Sequence, residues 1–196
     1  MRSIAAAAVL SFLFLPQGSA SAQSGPPSDR GDRADVRSAM SAAPLSVTGD
    51  ATLVGRPMPP SAEDGEARVL REGSNGWVCM PDNPDVPGDS PACVDEAWRS
   101  FLKAFLEGEE PPALQGIGIS YMLRGDFPVS NRDPSATEPT PDNEWIEDSG
   151  PHVMLLVPDR SLLEGLPTSP GDGPWVMWAG TPYAHVMIPV PGMPRH

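Results

Sequence analysis

Apolar positions at helical spacing mark one clear helix in the chain. A single apolar stripe follows the spacing i, i+3, i+4, i+7 and i+8 within residues 94–108: Trp98, Phe101, Leu102, Phe105 and Leu106. Gly108 directly follows this stripe and is typical of a helix end. We therefore predict an amphipathic helix over residues 94–108.

Shorter apolar runs bounded by glycine, proline and polar residues predict strands. They are LSVTG (45–49), ATLVG (51–55), ARVLRE (67–72), GWVCM (76–80), GIGISYML (116–123), HVMLLV (152–157), PWVMWAG (174–180) and AHVMIPV (184–190). The turn-forming residues 73–76 predict a hairpin between the third and fourth runs, and Arg160 to Glu164 predict a short helical turn. Residues 124–150 carry no apolar period and read as a long packed loop.

Together these elements predict an α+β fold in one small domain. We expect a short-stranded sheet, one main amphipathic helix and long Pro-rich loops over residues 45–192, with a short tail at 193–196. The 26 prolines and 19 glycines suit such loops.

The first 22 residues have the pattern of a secretory signal peptide. An apolar run from Ile4 to Leu15 precedes an A-x-A cleavage pattern that ends at Ala22. Residues 23–44 contain almost no large apolar side chains and predict a flexible linker. The linker contains Arg30-Gly31-Asp32, the tripeptide that integrins recognise, which is expected by chance in such a composition. We expect an exported protein, periplasmic or secreted, with no stable membrane insertion after cleavage.

The net charge restricts the partners. With 13 Lys and Arg against 26 Asp and Glu, the formal charge is −13. Nucleic-acid binding rests largely on phosphate neutralisation, so we expect no nucleic-acid partner. A protein or a small ligand is the expected partner.

Cys79 and Cys93 are the two cysteines of the chain. In an exported protein an even pair most simply forms a disulfide, and their spacing matches neither a C-x-x-C motif nor a zinc pattern. We predict a Cys79–Cys93 disulfide that closes the Pro-rich loop between them.

Several longer segments resemble a group of uncharacterised exported bacterial proteins. They are LREGSNGWVCMPDNPDVPGDSPAC, GISYML, SNRDPSATEPTP, GPHVML and GTPYAHVMIPV, which span roughly residues 70–190. The resemblance implies a bacterial exported domain and carries no particular activity with it.

A repeated His-Val-Met motif supplies the first candidate site. On a strand, His152 and Met154 share one face, and His185 and Met187 do so in the second copy. The opposite faces are purely aliphatic, which predicts that they face the core. The His–Met faces are then available for a binding site. If the two strands are adjacent, two imidazoles and two thioethers converge in a set suited to copper. Packing of two core strands explains the same motif without a metal.

An acidic loop supplies a second candidate metal site. Its hard oxygen ligands suit calcium, although the spacing differs from that of an EF-hand: Asp82, Asn83, Asp85 and Asp89. Solvated turn residues explain them equally.

The sequence contains none of the common catalytic motifs. A triad could assemble from Ser120, one of the two strand histidines and an acid, because triads are defined by geometry. Paired carboxylates for glycoside hydrolysis are available on the long loop: Glu138, Asp142, Glu144, Glu147 and Asp148.

Aromatic residues suggest one further class of ligand. Trp175 and Trp178 are three apart, so on a strand one faces the core and the other faces outward, near Trp145 or Tyr183. An exposed aromatic of this kind can stack on a sugar.

We therefore expect a non-enzymatic binding or interaction domain. An exported hydrolase that uses a strand histidine is the alternative, and a copper-binding protein with a His/Met cluster is a further one.

Overall fold

The computed structural model describes residues 30–56 and 67–190. The predicted signal peptide and the predicted tail lie outside these residues. The described helices are α1 (Arg30–Ser41), α2 (Leu45–Thr48) and α3 (Glu96–Glu107), with a 3₁₀ turn at Arg160–Leu163. The strands are β1 (Thr52–Val54), β2 (Val69–Arg71), β3 (Val78–Met80), β4 (Ala92–Val94), β5 (Gly118–Met122), β6 (Val129–Ser130), β7 (Trp145–Ile146), β8 (His152–Leu156), β9 (Trp175–Met177) and β10 (His185–Pro189).

Eight strands form one mixed sheet in the order β2-β1-β3-β4-β5-β8-β10-β9, and β6 pairs with β7 in a separate hairpin. β1 and β3 run parallel, while the other neighbours are antiparallel. The described residues thus combine a few helices with a large sheet, and the architecture is mainly β.

The predicted hairpin over residues 67–80 was wrong, because β1 lies between β2 and β3. The turn instead folds back over the start of β1. The backbone N–H groups of Ser74 and Asn75 donate to Asp50 O. A Cβ at Gly73 would lie 2.1 Å from the backbone nitrogen of Thr52, so glycine permits this crossing.

The first predicted strand, residues 45–49, was also wrong and is the helical turn α2. Pro44 stands before it with φ −59°, and its carbonyl accepts from Val47 N and Thr48 N. The fixed φ of proline suits the start of a helix, and five residues give too little alternation to decide against it.

Residues 30–41, predicted as part of the flexible linker, form α1. Two buried carboxylates attach this helix to the sheet side of the molecule: Asp32 pairs with Arg68, and Asp35 pairs with Arg56. Ala39 is fully buried beside them. α1 and α3 both contain 12 residues, so the described residues have two main helices rather than one. Because Asp32 is buried, the Arg30-Gly31-Asp32 tripeptide is not displayed as a free loop.

The prediction of α3 is confirmed, and its caps explain its ends. Asp95 Oδ1 accepts from Trp98 N at the N-terminus, and Gly108, at φ 70°, closes the C-terminus. Asp95 Oδ2 also accepts from Ile119 N, which fixes the helix to β5. The apolar stripe is narrower than predicted, since Leu106 is 54% exposed.

The predicted disulfide is confirmed. Cys79 and Cys93 lie directly opposite each other on β3 and β4 and are bonded. They belong to a core cluster with Leu53 of β1 and alanines around α1. α1 thus packs on this face of the sheet, while α3 packs on the other face through Trp98 and Phe101.

The predicted core face was wrong for β8, where His152 is buried and Val153 and Leu155 on the opposite face are half-buried. On β10 both faces are buried, since Val186 of the aliphatic face is buried as well as His185 and Met187. The reason is the position of α3, whose aromatic side chains pack on the His–Met side. In the part of the chain that the structure describes, no helix is long and apolar enough to cross a membrane.

Candidate functional site

The two strands that carry the His-Val-Met motif are neighbours, because β10 lies between β8 and β9. Met154 and Met187 are direct partners, but His152 pairs with Pro189. His185 is therefore four residues further along the strand, roughly 13 Å at ~3.3 Å per residue. The structure brings the two thioether residues together and separates the two histidines.

His185 lies in an aromatic cage. Its ring packs edge-on against Trp98 and Trp178, with centroids 5.3 and 5.1 Å away. Its Nδ1 is 2.9 Å from Tyr183 O, and a carbonyl only accepts, so Nδ1 carries the proton. Burial lowers the pKa of His185 to about 4, opposed by the hydrogen bond to Tyr183. His185 is thus a neutral core residue at neutral pH.

His152 has a free nitrogen. Its Nδ1 donates to Gly150 O at 2.7 Å, while Nε2 has no hydrogen-bond partner and the side chain is 0% exposed. Asp126 Oδ2 lies 4.0 Å from Nε2, beyond hydrogen-bonding distance. Burial lowers the pKa of His152 and favours its neutral form.

Asp126 is the acid of this pair and is 6% exposed. Burial raises the pKa of Asp126 to about 7, opposed by the Phe127 N–H that its carboxylate accepts and assisted by the nearby charge of Asp148. The pair therefore favours two neutral groups at mildly acidic pH.

Ser120 stands beside this pair. It faces Met154 on the neighbouring strand, and Met122 faces His152, so Ser120 is the diagonal neighbour of His152. Its hydroxyl is buried and has no hydrogen-bond partner. A Ser–His–Asp triad needs the acid on one imidazole nitrogen and the nucleophile on the other. Here Asp126 faces the same Nε2 that a serine would need, and all three side chains are buried.

The predicted metal ligands do not form a shell of ionisable groups. Across residues 30–56 and 67–190, no three His, Cys, Asp or Glu side chains are arranged to hold a metal ion. In the copper hypothesis, His152 would bind the metal through Nε2, because Nδ1 donates to Gly150 O. This Nε2 faces Asp126.

Most side chains of the calcium hypothesis already have partners. Asp82 accepts from the N–H and hydroxyl of Ser90, and Asn83 accepts from Asp85 N. Asp89 pairs with Arg124. These contacts are those of an ordered turn.

The long loop packs through a polar network. Asn131 donates to Glu144, which also pairs with Arg132, and accepts from the Trp175 indole at 3.1 Å. Glu144 is thus occupied, and Asp148 accepts from Gly150 N. The other carboxylates of the glycosidase hypothesis, Glu138, Asp142 and Glu147, are exposed.

The expected outward-facing tryptophan was wrong. Trp178 has φ 53°, which turns it out of strand geometry, and its indole donates to Ser130 O. Its ring stacks on that of Phe105 with a centroid distance of 5.3 Å, and Tyr183 packs edge-on against Phe105. Trp145 is half-buried on β7. The sugar-stacking hypothesis therefore has no free tryptophan platform at Trp178.

Sequence reasoning missed the open clefts of the molecule. Two adjoining clefts of about 220 and 300 Å³ lie where β8 ends and β10 begins, and both are lined by Arg160 and Ala184. The first is lined by apolar residues, which include Leu114 and Val157, and by the charged side chains of Glu110 and Arg160. The one available signal was Arg160 itself, a lone cation between apolar segments 152–157 and 174–190.

No protein-family model, curated protein or solved structure matches this chain. The candidate site therefore rests on its own geometry.

Proposed function

We propose that this chain is an exported bacterial ligand-binding domain without catalytic activity, and that its ligand occupies the two clefts around Arg160. The single observation that carries the proposal is a contrast in exposure. The reactive side chains, Ser120, His152 and His185, are 0–2% exposed, whereas the clefts are open to solvent.

The size of the clefts supports this proposal. Ligand pockets are mostly apolar with a few polar groups and occupy ~300–1,000 Å³. The two clefts adjoin at Arg160, so together they reach that range. The exported location is compatible with the Cys79–Cys93 disulfide, since such bonds persist in oxidising compartments.

The hydrolase alternative has weaker support. It requires a nucleophile that substrate reaches, and Ser120 and His152 are both fully buried. It also requires Asp126 and Ser120 on different nitrogens of His152, whereas the Gly150 carbonyl occupies Nδ1.

The test uses 1-anilinonaphthalene-8-sulfonate, a fluorescent apolar anion. Ala113 lines the first cleft and Ala179 the second, and both are exposed, so Ala113→Trp and Ala179→Trp fill the clefts without disturbing the core. We expect saturable binding by the unmodified protein and a loss of about tenfold in affinity, ~1.4 kcal/mol, in the double variant.

Thr137→Trp is the matched control, because Thr137 is exposed and lines neither cleft. It should bind the dye as the unmodified protein does. Equal binding by the double variant and the unmodified protein would place the dye elsewhere and overturn the proposal.

A further inference from the structure

Arg160 stands at the junction of the two clefts and is held in place there. Its Nη2 donates to Pro182 O at 2.9 Å, and the turn that begins with it is capped by Asp159, whose carboxylate accepts from Ser161 N. A guanidinium has five N–H donors in a fixed fork. One contact to Pro182 therefore leaves most of the fork available to a ligand.

The described residues contain ten arginines, and half of them are ion-paired. Five of them have a carboxylate within 4 Å: Arg56, Arg68, Arg99, Arg124 and Arg132. No carboxylate of the described residues lies within that distance of Arg160. Arg160 is the cation that the linings of both clefts share.

The clefts beside Arg160 combine apolar side chains with acids. Half-buried Leu114 and Val157 line the first cleft together with Glu110, and half-buried Leu163 lines the second together with Glu164. Covering these side chains is favourable by ~25 cal/mol per Å² of apolar surface removed from water. A ligand that matches both the walls and the guanidinium must combine an apolar chain with a negative head.

We infer that the ligand is an apolar amphiphile with a carboxylate, whose head pairs with Arg160 and whose chain lies in the adjoining clefts. Arg binds carboxylates through two parallel N–H donors, which a neutral head group cannot match. The inference rests on the proposed function, since it assigns a ligand class to the same clefts.

Glu110 allows a second test, in which the affinity for an anion should change in the opposite direction. It lines the first cleft with Arg160, so its negative charge opposes a carboxylate ligand. Glu110→Gln should therefore strengthen binding of an anion, whereas Arg160→Gln should weaken it.

The experiment displaces the fluorescent dye with octanoate, octanol or octylamine. We expect octanoate to bind about tenfold more tightly than octanol and octylamine to bind most weakly. Arg160→Gln should abolish the preference for octanoate over octanol, and Glu110→Gln should enlarge it. Arg99→Gln is the matched control, because Arg99 is an exposed arginine paired with Glu96 on α3.

The outcomes separate the two proposals. If octanol displaces the dye as well as octanoate does, and the cleft-filling tryptophans still block both, the carboxylate assignment fails while the ligand-binding function stands. An unchanged preference in Arg160→Gln likewise overturns the assignment. If none of the three compounds displaces the dye and the tryptophans leave dye binding unaltered, both proposals fail.

Discussion

At the scale of single residues, His152 and His185 have the same local contact and different surroundings. Each donates Nδ1–H to a carbonyl two residues earlier, Gly150 or Tyr183. His185 is then enclosed by aromatic rings, while His152 faces the buried carboxyl of Asp126. The repeated motif thus specifies the strand entry and not the chemistry of the histidine.

Asp126 and His185 have opposite effects on the pH dependence of stability. The pKa of Asp126 rises from 3.8 to about 7, so the native state holds its proton more tightly and stability falls as pH rises from about 4 to 7. The pKa of His185 falls from 6.5 to about 4, so stability falls as pH drops from about 6.5 to 4. Between about pH 4 and 6.5 the two effects offset each other in the unmodified protein.

We predict that Asp126→Asn exposes this balance. The variant cannot ionise at this position. As pH rises from 5 to 8, its free energy of unfolding should therefore increase relative to that of the unmodified protein by on the order of 2–3 kcal/mol. His185→Phe should remove the opposing loss and improve stability at pH 5 relative to pH 7 by on the order of 2 kcal/mol. Denaturant titrations at pH 5, 7 and 8 measure both effects.

Asp142→Asn is the control, since Asp142 is exposed on the long loop. Parallel pH profiles for Asp126→Asn and the unmodified protein would mean that Asp126 has the same pKa folded and unfolded.

At the scale of elements, the sequence predicted the helices and strands whose pattern lies within their own residues. α3 shows its stripe and both caps in the residues themselves, and β5, β8 and β10 are apolar runs with clear ends. α1 was missed because it is held by Asp32 and Asp35, whose partners are at least 21 residues away. The apolar side of α1 consists of small or scattered residues, Val36, Ala39 and Met40, which give a much weaker pattern than the stripe of α3.

Strand pairing and the choice of buried face failed for a related reason. The turn at residues 73–76 contacts Asp50, and the His–Met face is buried by α3, so both depend on contacts across the fold. The clefts around Arg160 bring together residues from 101 to 184 and could not be assembled from sequence.

We predict that α1 depends on its ion pairs. Asp35 is 4% exposed and accepts from Arg56 Nε and backbone N–H, so Asp35→Asn should destabilise the protein by about 1–2 kcal/mol, reduced by the partial exposure of Arg56. Hydrogen exchange should show the loss first in residues 30–41. Arg37→Gln, at an exposed position of the same helix, is the control. Equal exchange in both variants would show that apolar contacts alone hold α1.

At the scale of the whole molecule, the disulfide joins the neighbouring strands β3 and β4 in the middle of the sheet. Cys79 and Cys93 lie in the core cluster under α1, and β4 continues directly into α3 on the other face. Closing a loop of about 15 residues restricts the unfolded chain by ~3 kcal/mol.

We therefore predict that the double variant Cys79→Ala/Cys93→Ala loses about 3 kcal/mol of unfolding free energy in denaturant titrations. Dithiothreitol, which reduces the disulfide, should lower the stability of the unmodified protein to that of the variant. A variant as stable as the oxidised protein would show that the bond adds nothing to folding.

The order of the strands has a consequence for the way the molecule is assembled. β10 is an interior strand with partners on both sides, although it is the last strand along the described chain. A chain interrupted before His185 would leave β9 without its sheet neighbour and β8 with an open, apolar edge. Such an edge is a template for pairing with other chains. Premature termination or proteolysis just before this strand should therefore produce aggregation rather than a shortened but working domain.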